Sequence, residues 1–126
     1  MIYGIGTDIV TYQRMEELHQ RYGDKFARRI LSESEFEEYK EHMQPARMLM
    51  KRFAAKEAFA KAIGTGLRHP VSLQAISVAH DELGKPILRF SEHLIDFIHV
   101  CGVKHWHLSL SDEREHAVAF VVLERA

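Results

Sequence analysis

The stretch from Pro45 to Gly64 constrains this chain more than any other. Alanine, methionine, lysine and arginine, all good helix formers, dominate Ala46 to Ile63, with a proline suited to the first helical position and a glycine suited to the end. A long central helix is expected. Leu49, Phe53, Glu57 and Lys61 recur at i, i+4, i+8 and i+12, so a glutamate lies in line with apolar neighbours. A carboxylate so placed is costly unless it is paired or binds a metal. From the residues alone, an ion pair with Lys61 one turn on is the simplest explanation.

The flanking segments supply strands and shorter helices. Met1 to Val10 reads as a strand with Tyr3, Ile5, Thr7 and Ile9 on one face and Gly4, Gly6, Asp8 and Val10 on the other. Two glycines beside an aspartate suit a ligand or a closely approaching backbone; equally, Asp8 could cap the next helix. Tyr12 to Tyr22 has helical spacing, burying Met15, Leu18 and Tyr22. Arg14, Leu18, Arg21 and Lys25 lie along one side, followed by Phe26, Arg28 and Arg29. Such a stripe can receive an acidic amphipathic helix, although taken alone it reads as a solvated face. Ser32 and Glu35 form a capping-box pattern opening a helix to Tyr39, and the acids from Glu33 to Glu41 read as solvated.

Strands near Ala75 to Ala79 and Ile87 to Phe90 flank an Asp81 to Pro86 turn and form a hairpin. Ser91 to Cys101 is a helix ended by Gly102. Trp106, Leu108 and Leu110 then alternate with His107, Ser109 and Ser111, and a turn from Asp112 to His116 leads to a strand from Ala117 to Leu123. The expected architecture is α+β: one domain over residues 1–126, with a mostly antiparallel sheet and a long central helix.

Composition narrows the function classes. A chain of 126 residues with 46% hydrophobic residues can bury one core, and a single cysteine forms no internal disulfide. No secretory pattern opens the chain and no apolar run spans a bilayer, so a cytoplasmic protein without membrane contact is expected. The net charge of −1 disfavours nucleic acid as a partner. That sum hides a cationic segment, because Arg47, Lys51, Arg52, Lys56, Lys61 and Arg68 face one acid, Glu57, between Gln44 and Arg68. Phosphate-loop, dinucleotide, paired-cysteine zinc and nucleophile-elbow motifs are absent; Cys101 reads as a core thiol, and the histidines lack metal-ligand spacing. What remains is two carboxylates in unusual places beside a cationic helix. Magnesium takes one or two carboxylates plus phosphate oxygens, so a magnesium-dependent enzyme acting on a phosphate ester or pyrophosphate is expected.

Three segments add a resemblance: Gly4-Ile5-Gly6-Thr7-Asp8-Ile9-Val10, Arg52-Phe53-Ala54-Ala55-Lys56-Glu57-Ala58-Phe59-Ala60-Lys61-Ala62, and Gly64-Thr65-Gly66. Together they resemble the bacterial holo-(acyl-carrier-protein) synthases, the small group of 4′-phosphopantetheinyl transferases, and the similarity runs through Ala27 to Ser32, Gly84 to Pro86 and the closing strand pair. The resemblance implies that Asp8 and Glu57 bind magnesium, with Glu57 and Lys61 acting in catalysis. It also implies coenzyme A contacts at Arg52, Lys56, Lys61, Gly64, Gly66, Gly84, Pro86 and Ser109. Arg14, Leu18, Arg21, Lys25 and Arg28 would receive an acidic acyl carrier protein, and the chain would assemble as a homotrimer with interfacial sites. The 4′-phosphopantetheine group of coenzyme A would pass to a serine of that carrier, releasing adenosine 3′,5′-bisphosphate, in fatty acid biosynthesis.

One departure stands out. Ser109-Leu110-Ser111-Asp112 replaces the Ser-x-Ser-His of many relatives, so His105, His107 or Arg114 is expected to supply the missing phosphate contact. The alternative function is a non-enzymatic anion- or protein-binding module using the cationic helix, which leaves Asp8 and Glu57 without a purpose.

Overall fold

The computed structural model describes residues 1–126, and its longest helix is α4 (Pro45–Ile63). Pro45 opens it, and Gly64 closes it with a left-handed φ of 89° and N–H bonds back to Ala60 and Lys61. One side of α4 is a run of buried alanines, including Ala54, Ala58 and Ala62. Strand β1 (Ile2–Thr11) lies directly on it. A Cβ at Gly4 would sit 2.1 Å from the carbonyl oxygen of Ala62, and one at Gly6 would sit 2.0 Å from that of Ala58. The glycines thus admit an approaching backbone, and the space for a ligand beside them is not there. Asp8 is within the strand and caps nothing; the residue before helix α1 (Tyr12–Tyr22) is Thr11.

Three strands form one antiparallel sheet in the order β1-β5-β4, with β4 at Val103–Asp112 and β5 at His116–Arg125. Val10, Leu108, Ala117, Ala119, Val121 and Leu123 are buried in the core on its inner face. Its outer face is apolar yet open, with Ile9 64% and Phe120 43% exposed. Strands β2 (Ile76–His80) and β3 (Pro86–Phe90) form a separate hairpin, and α5 (Glu92–Val100) follows it. The hairpin joins the larger sheet where Trp106 Nε1 donates to the Leu88 carbonyl at 3.1 Å.

The expected single stripe beyond Tyr22 is interrupted. Gly23 adopts a φ of 55°, open to glycine at little cost, and starts a separate helix α2 (Asp24–Ile30). Lys25 and Arg28 therefore lie on a second helix rather than on a continuation of α1. Helix α3 (Glu33–Tyr39) has both reciprocal bonds of its capping box between Ser32 and Glu35. Glu35 itself departs from the solvated face read for that stretch, because it is buried.

Candidate active site

Strand β1 and helix α4 bring two carboxylates together. Asp8, Glu57, Lys61, Phe53 and Arg14 are among the residues lining a cavity of about 340 Å³. Lys61 Nζ donates to Asp8 Oδ1 at 3.1 Å and to the Thr7 carbonyl at 3.0 Å. The ion pair read from helical spacing, Glu57 with Lys61, is thus replaced by a pair between helix and strand. Partial burial, then the charge of Asp8, holds the Glu57 carboxyl above the usual carboxylate range, and Lys61 offsets part of this. A divalent cation would relieve that repulsion. No group of three His, Cys, Asp or Glu side chains forms a metal cage. Two carboxylates open to a cavity nonetheless fit magnesium, which keeps waters and takes substrate phosphates to complete its shell.

The two other cations of the helix motif are placed differently from expectation. Lys56 is wholly buried and donates to Glu35 Oε1 at 2.5 Å, the Ile30 carbonyl at 2.7 Å and the Leu73 carbonyl at 2.9 Å. An ammonium has three protons, so none is left for a coenzyme phosphate, and that assignment is corrected. Burial lowers its pKa to about 8 despite the opposing charge of Glu35. Arg52 binds Glu35 at 3.2 Å and Glu38 at 2.5 Å, and it also lines a cavity of about 400 Å³ with Arg47, Lys51, His42 and His80.

Asp112 faces this second cavity's cations rather than standing in for the histidine. Arg47 lies 3.3 Å and Lys51 3.8 Å from its carboxylate, and Arg47 also donates to the carbonyls of Glu113 and Arg114, each at 2.9 Å. His107 bonds Glu124 at 2.5 Å on the outer sheet face, the face that also carries Ser109. Arg47 and Lys51 were visible only as part of a cationic segment; nothing in their spacing marked their shared acid.

Gly64 and Gly66 follow α4, Gly84 and Pro86 belong to the β2–β3 hairpin, and Ser109 pairs with Phe120 on the outer face. None of the five lines the cavity at Asp8 and Glu57. Arg14, Leu18 and Arg21 line one groove, which shares Arg14 with the carboxylate cavity. Leu18 and Lys25 line the next groove with Tyr22, Phe26 and Arg29. Arg28 is turned away, its guanidinium 3.9 Å from the Phe36 ring centroid, and Arg29 occupies the position expected of it. The basic groove therefore runs directly up to the carboxylate pair.

Glu35 also makes an acid-sensitive joint. Burial alone would raise its pKa, but Lys56 and the backbone donors of Val78 and Ser32 hold it below the ordinary 4.5. A lowered carboxylate contributes stability above the unfolded value, and that contribution is lost as pH falls through the folded one. We expect Tm to fall as pH drops below 4.5, and the fall to be shallower in Glu35→Gln, by calorimetry from pH 6 downwards. An equally steep fall in both proteins would remove Glu35 as its source.

A glycine-bearing strand is thus laid on an alanine-faced helix, and an aspartate from the strand shares a cavity with a glutamate from the helix. The chain belongs to the 4′-phosphopantetheinyl transferase superfamily, whose family model matches residues 4–121. Over 125 residues it is 55% identical to the holo-(acyl-carrier-protein) synthase of Nitrosospira multiformis, covering 99% of this chain and 100% of that protein. The crystal structure of the Neisseria meningitidis synthase is similar with a TM-score of 0.96 and 47% identity, covering 99% of this chain and 100% of that one. That of the Bacillus anthracis enzyme, in complex with coenzyme A (3′,5′-ADP), gives a TM-score of 0.82 and 41% identity, covering 100% and 99%. The expected α+β transferase architecture is the one these relatives adopt.

Proposed function

We infer that the chain transfers 4′-phosphopantetheine from coenzyme A to a serine of an apo acyl carrier protein, releasing adenosine 3′,5′-bisphosphate. The observation that supports this reading is Arg14, which lines both the basic groove and the carboxylate cavity, so that an acidic partner docked in the groove would lie beside the reacting groups. The serine oxygen forms a bond to the phosphorus bearing pantetheine, and the bond from that phosphorus to the bridging oxygen breaks. Asp8 and Glu57 would hold magnesium, which supplies Lewis-acid neutralisation of pyrophosphate charge when bound. Glu57 orients a water that accepts the serine proton, and Lys61 binds a phosphate oxygen and offsets charge as the bridging oxygen leaves. Arg52, Gly64, Gly66, Gly84, Pro86 and Ser109 complete the coenzyme contacts.

Those contacts lie on both faces of the sheet, which supports a homotrimer whose sites sit between neighbouring chains. The open apolar outer face, with Ile9 and Phe120 exposed, favours burial against a second copy. Light scattering at assay concentration should give three chain masses; one chain mass in an active sample would refute it. No helix is long and apolar enough to cross a membrane. We place the enzyme in the cytoplasm, as a single transferase domain serving fatty acid biosynthesis.

Intact-mass measurement of an apo carrier incubated with coenzyme A, magnesium and the enzyme tests the reading. A gain of one phosphopantetheine, abolished by chelator, is expected; no gain with several competent carriers would overturn it. The docking groove has its own test. Arg29→Glu should raise the carrier KM about tenfold at low salt with the coenzyme KM unchanged, whereas Arg28→Glu should raise it less than twofold. The reverse order would return Arg28 to the interface.

A further inference from the structure

Glu35 is saturated with donors although it lies outside the reacting groups. Oε1 accepts from Lys56 Nζ at 2.5 Å and the Ser32 N–H at 2.9 Å, and Oε2 accepts from Arg52 at 3.2 Å and the Val78 N–H at 2.8 Å. Lys56 is further tied to the carbonyls of Ile30 and Leu73. One carboxylate of α3 thus joins α4 to the end of α2, to the turn before β2 and to β2 itself.

The other side of α4 offers no comparable lock. Where β1 crosses it, glycine backbone lies on the backbone of Ala58 and Ala62, and the tie from Lys61 to Asp8 and the Thr7 carbonyl is made by a side chain 54% exposed, so no buried polar side chain indexes rotation about the helix axis there. Lys56 and Arg52, one turn apart, provide that index. Glu57 follows Lys56 by about 100° around the helix, so the rotation that seats Lys56 on Glu35 also aims Glu57 at Asp8. A turn of ~10° at a side-chain reach of ~6 Å would move the Glu57 carboxylate by about 1 Å. Misplacements of that size cost on the order of a hundredfold in rate.

We propose that Glu35 is a positioning residue for the transferase centre: through Lys56 and Arg52 it sets the rotation of α4, and with it the place of Glu57 opposite Asp8. This rests on the reading of Asp8 and Glu57 as metal ligands. Arg52, held by the same carboxylate, is aimed at the cationic cavity with Arg47 and Lys51. An ordinary core ion pair would contribute only to stability; a positioning residue also controls where the ion and the pyrophosphate sit.

The test compares the wild type, Glu35→Gln, Glu35→Asp and Glu57→Gln, all assayed below their melting transitions. Readouts are kcat, the separate KM values for coenzyme A and carrier, and Mn²⁺ affinity from the free-ion spin-resonance signal with coenzyme A present. We expect Glu35→Gln to weaken Mn²⁺ binding by ~10-fold or more. Its kcat should fall by about 10- to 100-fold. The carrier KM should stay within about twofold of wild type, because the groove on α1 and α2 is not moved. Glu35→Asp, which keeps the charge on a shorter arm, should fall between the two and carries the test if the glutamine variant does not fold. Wild-type kcat and Mn²⁺ binding in a folded Glu35 variant, with both lost in Glu57→Gln, would overturn the proposal alone. Wild-type Mn²⁺ binding in Glu57→Gln would instead overturn the metal reading beneath it.

Discussion

Replacing Glu57 with glutamine should lower kcat by about a thousandfold while leaving Tm unchanged or slightly raised. The rate loss follows from removing one of two carboxylates that hold the cation: several kcal/mol of charge stabilisation at the breaking bond correspond to roughly two to four powers of ten. The stability effect has the opposite sign because partial burial and the charge of Asp8 both disfavour an ionised Glu57 in the folded chain. A neutral isostere removes that repulsion, as happens where a site is kept for activity at some cost in stability. Steady-state transfer assays and a melting curve on the same preparation check both halves. Full activity would dismiss Glu57 as a ligand, and a collapse in Tm would make it a structural residue.

Gly6→Ala is the second large effect. A methyl group there would lie 2.0 Å from the Ala58 carbonyl oxygen and 2.7 Å from the Ala62 nitrogen. Both are helix backbone atoms, so no side-chain rotation relieves the clash and α4 must move away from β1. Overpacking of this kind costs about 3 kcal/mol, which is roughly 10 °C in Tm for a chain of this size. Because Asp8 and Glu57 sit on the two surfaces being forced apart, turnover should fall as well, by about a hundredfold. Gly23→Ala is a useful contrast. Nothing lies within 4 Å of its added Cβ, so its cost is backbone strain alone, about 1–3 kcal/mol, with near-normal turnover. Equal losses of turnover in the two variants would show that the interface of strand and helix tolerates spreading.

Asp8 and Glu57 were legible because each breaks a local rule: a carboxylate beside glycines in a strand, and a glutamate in line with apolar residues on a helix. Periodicity also defined the long helix and both hairpins. Tertiary partners left no such mark. Glu35 looks like any other acid of an acidic run, and Lys56 like any other cation of its helix. Only the approach of α3 to α4 makes them a buried pair and removes Lys56 from the coenzyme contacts. Arg28 and Arg29 are adjacent, so the kink at Gly23, rather than composition, decides which of them borders the groove. The glycines of β1 announced a close approach without revealing that the approaching group is a helix of the same chain.

The chain contains one tryptophan, and its position makes it an optical gauge. Trp106 meets Phe90 edge-on at 5.1 Å, and Phe90 in turn meets Phe59 of α4 at 4.8 Å. Its emission therefore follows the seating of the hairpin that bears Gly84 and Pro86, and it lies apart from the groove around Leu18. A nucleotide settling on that hairpin should change the fluorescence, whereas an acidic helix docking on α1 should leave the emission unchanged. One intrinsic fluorophore can thus separate the arrival of the two substrates without any label.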